Sequence, residues 1–129
     1  MGAKFFLTTQ AFVSALFAVS MILMSQQMTE RYMIDIAWEN PATDLIRKGM
    51  GALLLGIACG SWMARTAEES TALKGWIFSS LVSNSLLVVF HINALSNGVE
   101  KPFAWVSVSV CLIFVVWAPI ILIKMKKPI

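Results

Sequence analysis

The side chains best suited to chemistry lie on the third of four long apolar runs in the chain. On a helix, Ser80, Asn84 and His91 fall on one face, and these three residues are called the polar seam below. Apart from cysteine, His91 is the one ionisable residue inside any of the runs. Because hydrogen-bonding side chains are costly in hydrocarbon, we expect the polar seam to face protein or a water-filled crevice.

Three interpretations of the polar seam stay open. In the first, its members bond to polar groups of the first run, each bond contributing about 0.6 to 2 kcal/mol; the available groups are Thr8, Thr9, Gln10 and Ser14. In the second, the polar seam binds the polar end of a quinone, sterol or lipid. In the third, His91 is a single axial ligand of a pigment or haem, since one histidine cannot supply a bis-histidine site. The sequence requires no cofactor.

Neither a catalytic site nor a metal site is predicted. The four runs contain no Asp, Glu, Lys or Arg, which argues against pumps and proton relays because these use buried carboxylates. No Gly-x-Ser-x-Gly motif is present, and without an intramembrane acid the one candidate dyad is His91 with a Ser or Cys. Cys59 and Cys111 have no metal-ligand spacing and are expected to be free thiols. We therefore expect a protein that is not an enzyme.

The apolar runs predict four membrane-spanning helices, since a span needs about twenty apolar residues. The runs are residues 5–25, 49–64, 75–95 and 103–123. The predicted spans have the same bounds, except that the second begins at residue 45, before its run, and so includes Arg47 and Lys48. The first run lacks a small-x-small cleavage site and is expected to remain as the first span. The predicted fold is all-α, a four-transmembrane-helix bundle that forms one integral membrane domain over residues 1–129.

The first loop is predicted to hold a short interfacial helix. Its apolar residues recur at helical spacing; they are Met28, Tyr32, Met33, Ile36 and Ala37. Asn40 and Pro41 then provide the N-cap and the first residue of the second spanning helix. Asp44 is spaced to pair with Arg47 and Lys48 one turn later.

Charge distribution predicts that both termini are cytoplasmic, because basic residues favour that side of the membrane. Four spans put the termini and the second loop together, with basic residues Lys4, Arg65, Lys74, Lys124, Lys126 and Lys127. The first and third loops hold fewer basic residues, Arg31, Arg47, Lys48 and Lys101, and more acids, Glu30, Asp35, Glu39, Asp44 and Glu100. Tryptophans lie near both predicted interfaces, with Trp38 and Trp105 on the outer side and Trp62 and Trp76 on the inner side.

Glycines on the second spanning helix predict close helix packing. Gly49, Gly56 and Gly60 lie on one side of this helix, and a glycine stripe lets another backbone approach closely. The approaching helix belongs either to the same bundle or to another protein. In the fourth span, Pro119 is expected to cause a kink.

The order of these features resembles a broad group of small four-helix bacterial membrane proteins with no assigned activity. The likeness covers residues 40–120 and is carried by residues 40–49, 51–56, Trp62 with Arg65, residues 82–84, and Gly98 before Trp105. The chain is more faintly similar to the ergosterol-biosynthesis scaffold family, which has four spans, an arginine near the second helix and a histidine in the third. That family tethers other enzymes, but the spacing in the second helix differs here and no residue role carries over.

The expected function is that of a non-catalytic accessory or scaffolding subunit of a membrane protein complex, in the bacterial inner membrane. Its expected partners are the lipid bilayer and other membrane subunits or a second copy of the chain. Nucleic acid is not expected, because the basic residues flank helix ends, where lipid headgroups lie. The alternative function is a binder or carrier of a small hydrophobic molecule, such as a lipid, quinone, sterol or pigment, which would contact the polar seam.

Overall fold

The structure, a computed structural model, describes residues 2–35, 37 and 39–125. Over these residues the chain is helical and contains no β-strand, so the all-α prediction is confirmed. The helices are α1 (Ala3–Leu23), α2 (Ser25–Tyr32), α3 (Pro41–Ala64), α4 (Thr71–Ser96) and α5 (Trp105–Lys124), with a 3₁₀ turn at Pro102–Ala104 before α5.

Three helices within the described ranges are long and apolar enough to cross a membrane: α1, α4, and α5 together with its preceding 3₁₀ turn. Their length and composition support a membrane location. With 24 residues, α3 is about 36 Å long, which exceeds the hydrocarbon thickness of about 30 Å. It is not among the three apolar helices, because its first two turns contain Thr43, Asp44, Arg47 and Lys48.

The start of α3 is fixed by the predicted cap. The side-chain oxygen of Asn40 accepts hydrogen bonds from the backbone N–H groups of Ala42 and Thr43 at 3.0 and 3.1 Å. Pro41 occupies the first helical position, where its missing N–H group costs nothing. Asp44 pairs with Lys48 at 2.7 Å and Arg47 at 3.9 Å, which confirms the predicted pairing. This start makes α3 longer than the apolar run within it.

The long helices form two hairpins: α1 packs along α3, and α4 packs along α5. A Cβ atom on Gly51 would lie 2.8 Å from Ile22 Cγ1 and 3.1 Å from the Ala18 carbonyl oxygen, so α1 and α3 approach closely at this glycine. The hairpins meet at one end, which we call the basal core. Its buried residues are Phe6, Leu7, Leu73, Ile77, Phe114, Ala118, Ile121 and Met125.

At the opposite end, α2 and residues 97–104 join the hairpins and form what we call the polar cap. The backbone N–H of Lys101 donates to the Tyr32 carbonyl at 2.6 Å, and that of Ile34 donates to the Val99 carbonyl at 3.1 Å. The Lys101 ammonium donates to the Glu30 carbonyl at 2.5 Å. These bonds attach the first loop to the third.

The short helix in the first loop lies earlier than its apolar pattern predicts. α2 ends at Tyr32, and Met33 is extended because it pairs across an isolated bridge with Glu100. Its buried residues are Ser25, Thr29 and Tyr32. The predicted positions Ile36, Trp38, Lys126 and Lys127 lie outside the described residues.

Candidate functional site

A cavity of about 580 Å³ lies between the two hairpins, and all five helices contribute to its lining. The contacts between α3 and α4 include Trp76, whose Nε1 donates to Ser61 Oγ at 3.2 Å and whose ring lies against Gly60. Farther along these helices, lining residues on both sides are exposed, with Met50 at 43% and Phe90 at 61%. The cavity therefore opens sideways between α3 and α4.

The polar seam lines this cavity over its full length, from Ser80 through Asn84 to His91. Ser80 is buried, and the side-chain amide of Asn84 donates to its carbonyl oxygen at 2.8 Å and to its hydroxyl oxygen at 3.2 Å. The hydrogen bonds of Ser80 and Asn84 thus run within α4.

The polar groups of α1 that were predicted to hydrogen-bond with the polar seam do not do so. Thr8 and Thr9 donate to the carbonyls of Lys4 and Phe5 within α1, at 2.8 and 3.0 Å. Gln10 and Ser14 line the cavity. The described bonds do not join these α1 groups to the polar seam, because the cavity separates α1 from α4.

His91 contacts a buried carboxylate. Its Nδ1 lies 2.8 and 3.0 Å from the two carboxylate oxygens of Glu100, which is 8% exposed. α4 ends at Ser96 with Asn97 as its C-cap, and Gly98 adopts φ +67°, a left-handed conformation that favours glycine. The backbone N–H groups of Val99 and Glu100 then donate to the Ala94 carbonyl at 2.9 and 3.3 Å. This reversal of the chain brings the Glu100 side chain into contact with His91.

The burial of Glu100 is not predicted by the sequence. Its position between the third and fourth runs places it among the acids of the first and third loops, with no sign that its side chain is buried. The chain reversal at Asn97-Gly98 brings this loop carboxylate to the edge of the cavity. The Asn-Gly pair after the third run is the sequence signal that indicates such a reversal.

Tyr32 lies beside the pair formed by His91 and Glu100. Its phenolic oxygen lies 2.6 Å from Ser107 Oγ at the start of α5, and its ring centroid lies 6.2 Å from that of His91. Burial raises the pKa of Tyr32 above its ordinary value because the phenolate would lose hydration. Tyr32 is therefore neutral at physiological pH. Sequence reasoning assigned it only to the apolar face of the loop helix.

Arg47 lines the cavity at the polar cap and is held by its neighbours. Its guanidinium donates to the Ser25 carbonyl at 2.7 Å and to the Ser25 hydroxyl, and lies 3.5 Å from Glu39 and 3.9 Å from Asp44. Hydrogen bonds from Lys48 and Ser25 lower the pKa of the Asp44 carboxyl. The sequence predicted the local pairing, but the contact with Ser25 depends on how α2 folds back.

At the basal end of the cavity, Gln10 carries a buried acceptor. The residue is 5% exposed, and its Oε1 has no hydrogen-bond partner within the part of the chain that the structure describes. Most buried polar atoms in proteins are hydrogen-bonded. Gln10 lines the cavity, but the oxygen itself has almost no accessible surface and is packed against protein.

The predicted glycine stripe faces two environments. A Cβ on Gly60 would lie 2.5 Å from the Trp76 ring, whereas one on Gly49 or Gly56 would meet no described atom within 4 Å. The close contact between α1 and α3 uses Gly51 instead. Ala58, which is also buried, lies two turns after Gly51 on α3. Small residues at this spacing are the sequence signal for a close contact on that side of the helix.

The arrangement is suited to binding an apolar molecule that has a small polar group. Apolar side chains such as Phe17, Leu54 and Val110 line the cavity between the polar residues. Cys59 and Cys111 are free, and Cys111 also lines the cavity. Within the described ranges, no group of three His, Cys, Asp or Glu is placed to hold a metal ion.

In comparisons with known proteins, no family model, curated protein or solved structure matches this chain significantly. The two resemblances noted in the sequence therefore stay expectations, and the geometry of the cavity is the basis for assigning a function.

Proposed function

We propose that the protein binds or carries a small hydrophobic molecule within the membrane. The cavity between the hairpins supports this proposal most directly, because its volume of about 580 Å³ falls within the range of about 300–1,000 Å³ typical of ligand sites. Its mainly apolar lining with a few polar groups is also typical of such sites. The proposal includes no catalytic step.

The proposed topology has four spans, with α3 as the fourth spanning helix alongside the three apolar ones. Asp44, Arg47 and Lys48 then lie at the interface, where charged side chains reach the headgroups. Both termini are proposed to be cytoplasmic, in a bacterial inner membrane. In this topology the gap between α3 and α4 faces hydrocarbon, so that a ligand enters from the bilayer.

Filling the cavity tests this proposal. Ser80 is 4% exposed and lines the cavity, so Ser80→Phe should occupy ligand space. Ser109→Phe is the matched control, because Ser109 is exposed on α5. The proteins would be purified in mild detergent, and the molecules extracted from them would be identified by mass spectrometry.

We expect a stoichiometric hydrophobic molecule with the wild type and with Ser109→Phe, and at least a tenfold loss with Ser80→Phe. Asn84→Ala and His91→Ala should reduce the amount less, because each removes one polar contact. Folded wild type that carries only bulk lipid in variable amount would contradict the proposal.

The accessory or scaffolding role is a second candidate, supported by the open side of α3. Gly49 and Gly56 have room for a neighbouring helix, and the apolar residues Leu53 and Met63 are 72% and 77% exposed. The proposed partner is another membrane subunit or a second copy of the chain. Native mass measurement in mild detergent should then show a complex that Gly56→Leu disrupts, and a monomer without a partner would contradict this role.

A further inference from the structure

We propose that the cavity holds one unbranched hydrocarbon chain, which lies parallel to α4 with its polar end at the polar cap, and that Trp76 closes the basal end and limits the length of the chain. This inference rests on the proposed binding function and specifies the shape of the ligand. It follows from the dimensions of the cavity, the distribution of charge along it and the contacts of Trp76.

The cavity is long and narrow. Along α4 its lining runs from Trp76 to Ala94, which are 18 residues and therefore about 27 Å apart at a rise of about 1.5 Å per residue. A volume of about 580 Å³ over this length gives a mean cross-section of about 20 Å². An extended hydrocarbon chain packs about 4.5 Å from its neighbours and needs a cross-section of about 20 Å². One chain therefore fits along the cavity, whereas the fused rings of a sterol are wider.

The charged groups of the lining lie at one end of the cavity. Arg47, His91 and Glu100 line it at the polar cap, where the proposed topology puts lipid headgroups. At the basal end, α3 and α5 contribute the apolar side chains of Ile57 and Phe114. Burying a polar group among apolar side chains is costly, so the polar end of the chain lies at the polar cap and its last carbon atoms lie at the basal end.

Trp76 spans the gap between α3 and α4 at the basal end of the lining. It is the most basal lining residue of α4, and its Nε1 donates to Oγ of the fully buried Ser61 on α3 at 3.2 Å. Its ring lies against Gly60, where a Cβ atom would come within 2.5 Å of it. The indole thus contacts both helices one turn beyond Ile57, the most basal lining residue of α3. A chain that runs along α4 from the polar cap ends at this ring.

Unbranched alcohols of increasing length, from octanol to tetracosanol, test the inference on purified wild-type protein. Their displacement of radiolabelled dodecanol would be measured in digitonin, a detergent with a fused-ring body, and expressed per mole fraction of alcohol in the micelle. We expect tightest binding at one length, because shorter chains leave space empty and longer chains meet Trp76. A chain about four carbon atoms longer should bind about five- to tenfold more weakly, because overfilling a packed site is unfavourable.

The Trp76→Ala variant assigns the length limit to its residue. Removal of the indole leaves a space at the basal end, so the alcohol that binds most tightly should be longer by about two carbon atoms or more. Trp76→Leu should shift the optimum in the same direction and replaces Trp76→Ala if that variant fails to fold. Trp62→Ala is the matched control, because Trp62 is 45% exposed and lies outside the lining, and it should keep the wild-type optimum.

The direction of the chain is tested on the wild type with an alcohol that carries a photoreactive group on its last carbon atom. We expect label at the basal residues Ile57, Trp76 and Phe114. Label at Tyr32 or His91 instead would overturn the proposed orientation. A phosphatidylethanolamine with acyl chains of the optimal length distinguishes two sources of the chain, since it competes if the chain belongs to a membrane lipid and does not if it belongs to a free amphiphile.

The outcomes separate this inference from the binding function. The absence of an optimal length, the same optimum in folded Trp76→Ala and wild type, or tighter binding of cholesterol than of any alcohol would overturn the inference while binding itself stands. If neither radiolabelled dodecanol nor radiolabelled cholesterol bound saturably, the proposed function would be overturned as well.

Discussion

Glu100 and His91 make a side-chain contact at the polar cap end of the cavity. The carboxylate is nearly buried, and its contact with His91 Nδ1 connects the third loop to α4. Glu100→Gln keeps the shape but removes the charged acceptor, so we expect a loss of about 1.5–3 kcal/mol in the free energy of unfolding. Thermal unfolding in detergent measures it. Glu68→Gln, at an exposed position, should have no effect, and equal melting temperatures for both variants would contradict the contact.

Titration of the Asp44 carboxyl should make the stability of the protein depend on pH. Its pKa is lowered in the folded protein, chiefly by the hydrogen bonds from Lys48 and Ser25. The stabilisation is therefore complete above the ordinary carboxyl pKa of about 4, and it is lost as the pH falls through the lowered folded value. Asp44→Asn should flatten the fall in melting temperature below about pH 4. An unchanged acid profile would show that these bonds contribute little.

The polar seam follows from helical spacing, because residues on one helix share a face whatever lies opposite. Glu100 and Gln10 do not follow from it. Asn97-Gly98 signals the reversal after α4, but the contact of Glu100 with His91 depends on how the third loop packs against α4, and the burial of Gln10 depends on how the two hairpins pack. Both are tertiary contacts that the local sequence does not encode.

Alanine substitutions at two glycines of α3 test the packing of α1 against α3. A Cβ on Gly51 would lie 3.1 Å from the backbone of α1, whereas one on Gly49 would meet no described atom within 4 Å. Gly51→Ala should therefore destabilise the protein by about 1–3 kcal/mol. Gly49→Ala should be neutral or stabilise by up to about 1 kcal/mol, because alanine favours helix. Unfolding in detergent would compare them, and equal effects would contradict the observed α1–α3 contact.

The helices themselves were largely predictable. The apolar runs lie within or close to the long helices, and Asn40-Pro41 marks the start of α3, because capping is local chemistry. α2 was predicted too far along the chain, since its apolar pattern continues into Met33, which is extended. There the bridge to Glu100 overrides the helical pattern.

In the whole molecule, two hairpins joined at both ends enclose a cavity that opens sideways. The sequence could not predict this pairing, because helices in a membrane have little hydrophobic contrast with lipid and their apolar faces do not reveal their neighbours. Phe6 illustrates this, since only the structure shows its ring against Phe114 of the other hairpin, at 5.5 Å between ring centroids. The basal core and the polar cap hold the hairpins together and leave the middle open.

Labelling from within the bilayer tests the lipid-accessible cavity most directly. A photoreactive hydrocarbon dissolved in liposomes would be activated, and the labelled residues would be mapped by mass spectrometry. We predict label on the cavity residues Cys111 and Ser14, which are 7% and 9% exposed, and its loss in Ser80→Phe. Label confined to outward-facing residues such as Phe12 and Leu53, in wild type and variant alike, would contradict the account.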